Sequence, residues 1–535
     1  MKSKLIIFGF LMSSFALFAQ SSSFEIILKP TSISELGGIQ SFAYGQYNGY
    51  WLIVGGRLDG LHRRQPWAAF DSAGHNTQII VVNPSTQQKW TAPLTSLSLD
   101  LQEQLCATNM EFYQSGNFLY VIGGYGYSPS KNDHVTYDKL TAINVSATID
   151  AVIKGNALTD NFRQIKDAQF QVTGGRLDKI YDTYFLVGGH KFMGRYNPMS
   201  PSHGTGFIQK YTDEIRKFKL LDDGKTLTVQ HFQSISDTNN LHRRDYNVTA
   251  QILPNGQEGL TAFSGVFQKS VNLPFLNSVT IDSSSYRIDT TFSQYYNHYH
   301  CAHFPIYSAA SNEMHTVFFG GIAQYYDSLG TLVENVDVPF VKTIARVTRN
   351  SKGEMAEYKL PIEMPAFLGA GSELIRNNEL PIFPNRVIKY DELDQDSILI
   401  GHIYGGISSS AANIFWINEG LQSSASNQIF EVILVKNPLI CQDRLNEQST
   451  GSLKLKIVSS ITRKTLNISY TLAKDTDVQI TLSALGGKVI EHKLFINQRK
   501  GINSFEKKIK KLKAGSIFLL TVDTGIEKAT QIIKL

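Results

Sequence analysis

Short apolar runs closed by paired glycines punctuate the chain. They read YWLIVGG (Tyr50–Gly56), FLYVIGG (Phe118–Gly124), YFLVGG (Tyr184–Gly189), TVFFGG (Thr316–Gly321) and HIYGG (His402–Gly406), and a weaker sixth copy, LTAFSG, ends at Gly265. Apolar runs this short, bounded by glycine, predict buried β-strands rather than helices. A glycine pair at a strand end permits positive φ and close backbone approach, as sheets packed against one another require.

A second strand precedes each run. Aligned with one another, GGIQSFAY, CATNMEFY, KDAQFQVT, RDYNVTAQ, HCAHFPIY and GAGSELIR place a polar residue at one register: Gln40, Asn109, Gln169, Asn247, His303 and Ser372. Three positions later stand Ala43, Phe112, Val172, Ala250, Ile306 and Ile375, all apolar. The pattern predicts an inner-strand polar ring built from six equivalent units. Outer strands follow the glycines, clearest in NTQIIVVNPSTQQKW (Asn76–Trp90) and less faithful in KLTAINVS, DEIRKFKLLDDGKTLTVQHF and VKTIARVTRNSKGEMAEYKL. Four strands in each of six units is the pattern of a β-propeller.

The double glycine, the strand after it, a turn and a Trp resemble the repeat of the Kelch family, and the resemblance covers roughly Ser23 to Asn437. The expected fold is therefore all-β, a six-bladed Kelch-like β-propeller over residues 23–437. The units exceed the ~50 residues of a Kelch repeat, and the surplus, falling after the glycines, predicts long loops. SFEIILKP (Ser23–Pro30) has no partner of its own, and NQIFEVILVKN (Asn427–Asn437) lacks a fourth strand. The N-terminal strand is expected to complete the last blade, leaving no open sheet edge.

Both ends of the chain differ from this body. The leader MKSKLIIFGFLMSSFALFAQ has Lys2 and Lys4, an apolar run and a small residue at Ala19. It reads as a signal peptide over 1–19. No later run reaches the ~18 apolar residues of a membrane span. After a linker at 438–452, residues 453–535 alternate apolar and polar positions between regular turns, which predicts a small antiparallel β-sandwich. DVQITLSALGGKVI (Asp477–Ile490), KGINSF (Lys500–Phe505), LKAGSIFLLTV (Leu512–Val522) and KATQIIKL (Lys528–Leu535) resemble the C-terminal sorting domain of the type IX secretion system. Phe518 stands near the position where that family carries an aromatic residue, and LKLKIVSS replaces its usual Pro-Asn-Pro lead-in. The resemblance implies the type IX machinery as partner and a secreted, extracellular or surface-attached protein. A plain binding or spacer module of sandwich type is the alternative.

Composition adds modest constraints. The 535 residues carry 51 Lys and Arg against 46 Asp and Glu. Of these, 16 basic and 6 acidic residues lie from Gly451 onward, so the body is weakly acidic and the tail basic. That distribution is not the clustered basic surface of a nucleic-acid binder. Three cysteines, Cys106, Cys301 and Cys441, exclude a disulfide-built scaffold.

Candidate chemistry concentrates in the loops. In a propeller, loops leading into inner strands and loops following the glycines emerge on one face. This gathers His62, Arg63, Arg64, His190, Arg195, His242, Arg243, Arg244, His298 and His300, and the tripeptide His-Arg-Arg occurs twice among them. Arg offers a planar fork for carboxylate or phosphate, His a switchable donor, and Tyr or Trp a stacking surface. The competing reading is that these side chains tie the loops together. YNHYHCAHFPIYS (Tyr296–Ser308) carries three histidines, yet His303 already belongs to the inner-strand register, so a strand mouth is expected rather than a metal site. No cofactor is expected. No carboxylate pair or nucleophile with a base stands out; Asp59, Asp133 and Asp245 read as loop-capping residues. The expected function is recognition of an extracellular carbohydrate, peptide or protein by the loop face. The alternative is a sugar-modifying propeller enzyme, epimerase, mutarotase or oxidase-like.

Overall fold

The computed structural model describes residues 24–199, 207–328, 330–436, 454–460, 465–484, 489–508, 517–524 and 528–534. The leader, the whole linker at 438–452 and Cys441 lie outside them. Contacts divide the chain into a unit spanning Ile26–Leu434 and a second that contains Val435–Leu535.

The first unit is built from six sheets, each with an antiparallel path of four strands; the fifth carries a further two-residue strand in parallel pairing. Sheet one runs Ala43–Tyr47, Tyr50–Val54, Gln78–Asn83, Gln88–Pro93. Sheet two runs Glu111–Ser115, Phe118–Ile122, Lys139–Asn144, Phe162–Lys166, and sheet three Arg176–Ile180, Thr183–Val187, Glu214–Asp222, Leu227–His231. Sheet four is Asn247–Ile252, Glu258–Phe263, Ser278–Ile281, Tyr286–Asp289. Sheet five is His303–Ser308, Glu313–Phe319, Thr343–Arg349, Met355–Glu363. Sheet six is Ser372–Arg376, Ser397–Gly405, Ile429–Lys436 and, outermost, the N-terminal strand Phe24–Thr31.

A cycle of backbone hydrogen bonds joins the lead-ins of all six inner strands. Ser41 N–H donates to Gly371 (2.8 Å), Gly371 to His300 (2.7 Å), His300 to Asp245 (3.3 Å), Asp245 to Gly174 (2.7 Å), Gly174 to Asn109 (3.2 Å) and Asn109 back to Ser41 (3.2 Å). The sheets therefore stand around one axis in chain order, a closed propeller-like ring. Ser41, Asn109 and Asp245 take left-handed φ of 52°, 50° and 51° to present both amide groups around it.

The glycine pairs staple neighbouring sheets. The second glycine donates to the next sheet's lead-in at Gly56→Ala107 (2.8 Å), Gly124→Val172 (2.9 Å), Gly189→Arg243 (2.8 Å), Gly321→Leu368 (3.0 Å) and, closing the circle, Gly406→Ile39 (2.8 Å). A Cβ on Gly123 would sit 2.0 Å from the Val172 carbonyl oxygen, so no side chain fits there. Between sheets the core is apolar: Leu52, Val54, Leu119 and Val121 join sheets one and two, and Tyr113, Phe170, Tyr184 and Phe218 join two and three.

Three features depart from the sequence reading. The insertions after the glycines of sheets two and three are not simple loops: Tyr125–Ser128, Asp133–Thr136, His190–Met193 and Ile208–Tyr211 pair into an additional four-stranded sheet. Two helices, Leu99–Leu105 and Val145–Lys154, cover sheets one and two. The second is capped by the Asn144 side chain, which accepts from the Ala147 amide, and ends at Gly155 in left-handed conformation. Finally, KDAQFQVT is not the inner strand of sheet three. Gln169 lies in a 3-10 turn, Ala168–Phe170, and the strand begins at Arg176.

The second unit contains two antiparallel sheets: Lys454–Ser460, Thr465–Leu472 and Gly501–Lys508 in one, Val489–Gln498, Thr476–Ala484, Ile517–Asp523 and Lys528–Lys534 in the other. Leu466, Ile468, Tyr470, Val478, Ile480, Leu520 and Val522 form a core shared by both. Among the described residues no helix is long and apolar enough to cross a membrane.

Candidate functional site

The long loops do bring distant histidines and arginines together, but mostly to tie the loops to one another. His62 packs against Phe70 (5.6 Å between ring centroids) and Tyr196 (4.9 Å), and burial pushes its imidazole down to about 4. His190 is buried, 2.9 Å from the Gln209 amide, and burial lowers it well below the usual range. His242 stacks on Tyr211 at 3.7 Å and bonds Asp213 at 2.7 Å. Arg244 donates to the Tyr211 hydroxyl (3.0 Å) and pairs with Asp245. Arg195 donates to the Trp67 carbonyl, and Arg64 pairs with Glu419 at 2.9 Å.

Two members of the predicted set are structural. Arg243 is buried over the Phe275 ring (4.0 Å) and donates to the Asn240 carbonyl (2.6 Å) and to the Asn277 carbonyl (3.0 Å) and side chain (2.6 Å). His298 lies flat on Phe318 with Nδ1 2.8 Å from the Gly320 carbonyl, and burial holds it at about 4. Arg63 remains exposed. What the loop face offers outward is aromatic and apolar: Trp67 is 74% exposed, Trp416 69% and Leu421 91%. Their loops are joined by Asn418, which donates to the carbonyls of Leu61 (2.8 Å) and His62 (2.9 Å), and by the Arg64–Glu419 pair. Sequence patterning missed Trp416 and Leu421 because their loop follows the last glycine pair, where no motif drew attention.

The predicted polar ring is displaced. Of its six residues only Asn109 sits in the backbone cycle. Gln40 precedes Ser41 and donates to Gly60 (3.1 Å); Ser372 follows Gly371 and receives the Ala302 amide (3.1 Å). Asn247 receives the Cys301 amide (3.1 Å) and donates to the His298 carbonyl (2.6 Å). His303 opens its strand with Nδ1 2.8 Å from the Cys301 carbonyl, and Gln169 lies off the axis in its turn. Aligning on apolar runs alone could not register the unequal lead-ins.

Inside the ring the six inner strands enclose a cavity of about 550 Å³. Near the backbone cycle it is closed, since Asn109 reaches Asp245 (3.5 Å) and His300 bonds Glu373 (2.6 Å). Glu373 also lies 3.5 Å from Arg176. Burial opposes its charge most strongly, yet Arg176 and His300 together hold the carboxyl below its ordinary value. At the other end exposed turn residues, Gly116, Tyr181 and Asn378, line an opening. Between lie Asp178, which burial raises to about 6, His303, which burial and then Arg176 lower to about 4, and Tyr44, raised by burial to about 12. No group of three or more His, Cys, Asp or Glu among the described residues is placed to hold a metal ion.

No family model matches the chain, and no curated protein matches it. Solved structures that resemble it include YjhT, at TM-score 0.39 and 10% identity over 75% of this chain and 98% of that one. A chain of the RAG complex with one melted and one unmelted RSS gives 0.36 and 11% over 77% and 99%. Dihydro-heme d1 dehydrogenase NirN in complex with DHE gives 0.29 and 9% over 91% and 81%. YjhT and NirN have propeller-like folds. Scores this low bear on nothing further, and the architecture rests on the sheets and their hydrogen-bonded cycle.

Proposed function

We propose that the chain is a secreted or cell-surface binding protein whose propeller loop face recognises an extracellular carbohydrate, peptide or protein. One observation carries the reading: Trp67, Trp416 and Leu421 stand exposed on two interlocked loops beside Arg63. Large apolar side chains held outward on a stiff support suit an extended partner surface or a sugar chain. Most of the surrounding cations are spent on their own loops, so stacking rather than charge is the attraction. Screening the full chain on glycan and extracellular-protein arrays, beside Trp67→Ala and Trp416→Ala variants, tests it. Each substitution should weaken an array ligand by about tenfold, and wild-type binding by both would remove the loop face from consideration.

Delivery by the type IX system is part of the same proposal. The leader and the resemblance of the C-terminal segment support it, and the two-sheet core of that segment is compatible with a sorting module. Deleting Leu466–Leu535 should retain the protein inside the cell, whereas normal export would reject this route. A second reading, a sugar-modifying enzyme, draws on Asp178, whose carboxyl near 6 inside the cavity suits proton transfer at neutral pH. It requires turnover of a sugar that Asp178→Asn abolishes.

A further inference from the structure

The segment between the inner two strands of sheet six, residues 377–396, does not turn back at once. It folds across the open end of the cavity as a strap. Ile388–Lys389 pairs in parallel with Ile306–Tyr307 of sheet five, and Val387 and Ile388 are fully buried there. Asn385 donates to the Gln251 carbonyl of sheet four (3.0 Å). Between these anchors a tight turn, with Arg386 N–H to the Phe383 carbonyl (2.8 Å) and Phe383 N–H to Val387 (2.8 Å), holds Arg386 at φ 70°. A non-glycine residue in that region is strained, and such strain persists where the surroundings over-determine it. The Arg386 guanidinium lies 3.7 Å above the Tyr113 ring of sheet two. In a ring of six, sheets two and five are opposite, so the strap carries this cation across the cavity.

A second arginine is near enough to feel the charge of the first. Arg376, at the end of the sheet-six inner strand, lines the same cavity; its Nη1 is buried and without a hydrogen-bond partner. Burial and then the charge of Arg386 lower its affinity for a proton, so the two guanidinium groups repel one another. Neither has a carboxylate within ion-pair distance among the described residues. The acidic residues nearby are engaged: Glu373 with His300, Glu258 with the Tyr181 amide (2.7 Å), and Asp178 with the Lys179 amide (2.7 Å). Two adjacent cations and an unpartnered buried donor are costly unless an anion joins them.

We propose that Arg376 and Arg386 form a receptor for an oxyanion, carboxylate or sulfate, carried by a small ligand that enters the cavity from the strap side. Two planar forks match the paired oxygens of such a group. The aromatic rings of Tyr113 and Tyr44 beside it leave room for a ring-shaped body within the 550 Å³. This site is separate from the exposed tryptophans of the loop face.

Phenylglyoxal modification of the folded full chain, mapped by peptide mass spectrometry, reads each guanidinium separately. Sulfate or D-glucuronate should slow modification of Arg376 and Arg386 by about fivefold or more, and D-glucose at equal concentration should not. Protection by sulfate alone assigns the receptor to sulfated ligands, and protection by glucuronate alone assigns it to carboxylates. Unchanged rates with both anions, or equal protection by glucose, would overturn the proposal. Titration with whichever anion protects should show about tenfold weaker binding in Arg386→Gln, with part restored in Arg386→Lys. Wild-type affinity in Arg386→Gln would also overturn it. Trp67→Ala should leave the protection intact, which separates this site's fate from that of the loop face.

Discussion

The two ends of the ring use arginine in opposite ways. On the loop face Arg243, Arg244, Arg64 and Arg195 each donate to side chains or carbonyls of neighbouring loops. At the strap end Arg386 makes no ion pair among the described residues, and Arg376 keeps a buried donor without a partner among them. Removing a satisfied cation should weaken the fold, whereas removing an unsatisfied one should relieve it. Charge in a loop is therefore a poor guide to ligand binding until its partners are known.

The largest effect should come from Gly123→Val. The new side chain meets the Val172 carbonyl at 2.0 Å from a left-handed backbone, and loss of soluble folded protein on expression is the expected outcome. Arg243→Ala should follow, costing about 2–4 kcal/mol in urea unfolding, because the buried Ser264 carbonyl and the half-buried Asn277 carbonyl lose their donor. It should leave anion protection at the strap unchanged. If Arg243→Ala were neutral in stability, the distinction between tied and untied cations would fail.

Acid should act next. His298 is fully buried and held near 4, below its unfolded value near 6.5. Its contribution is complete above pH 6.5 and fades as pH falls toward 4, amounting to about 3 kcal/mol. Urea midpoints measured from pH 7 to 4.5 should fall most steeply in that window. Anion binding should move the opposite way. Asp178, beside Lys179, Arg386, Arg176 and Glu258, gains its proton near pH 6 and ceases to repel an oxyanion, so affinity should be higher at pH 5 than at pH 7.5. Asp178→Asn should flatten that dependence. The smallest change should be His242→Ala, about 1 kcal/mol for its bond to Asp213 and its stack on Tyr211.

Much of the ring was legible because its constraints are local. Each glycine pair marks a strand end that must approach the next sheet, and the outer strand pairs follow from alternation and turns. The unpaired SFEIILKP found its partner because an open edge is unfavourable. The loop sheet around His190 and Tyr125 was not legible, since each strand is four residues long and its two hairpins join only through Val135 and Met193, far apart along the chain. Nor was the strap: Arg386 gains its meaning only from the Ile306–Tyr307 pairing of sheet five beside it and Tyr113 opposite, and both lie more than 70 residues from it in sequence. The polar register failed where lead-ins differ in length, as the turn at Gln169 shows.

Urea unfolding of Arg386→Gln tests the contrast most directly. If the strap-end cations are held for a ligand, the anion-free variant should unfold at the wild-type midpoint or slightly above it. A loss of about 2 kcal/mol or more would place Arg386 among the structural ties of the fold and contradict the account.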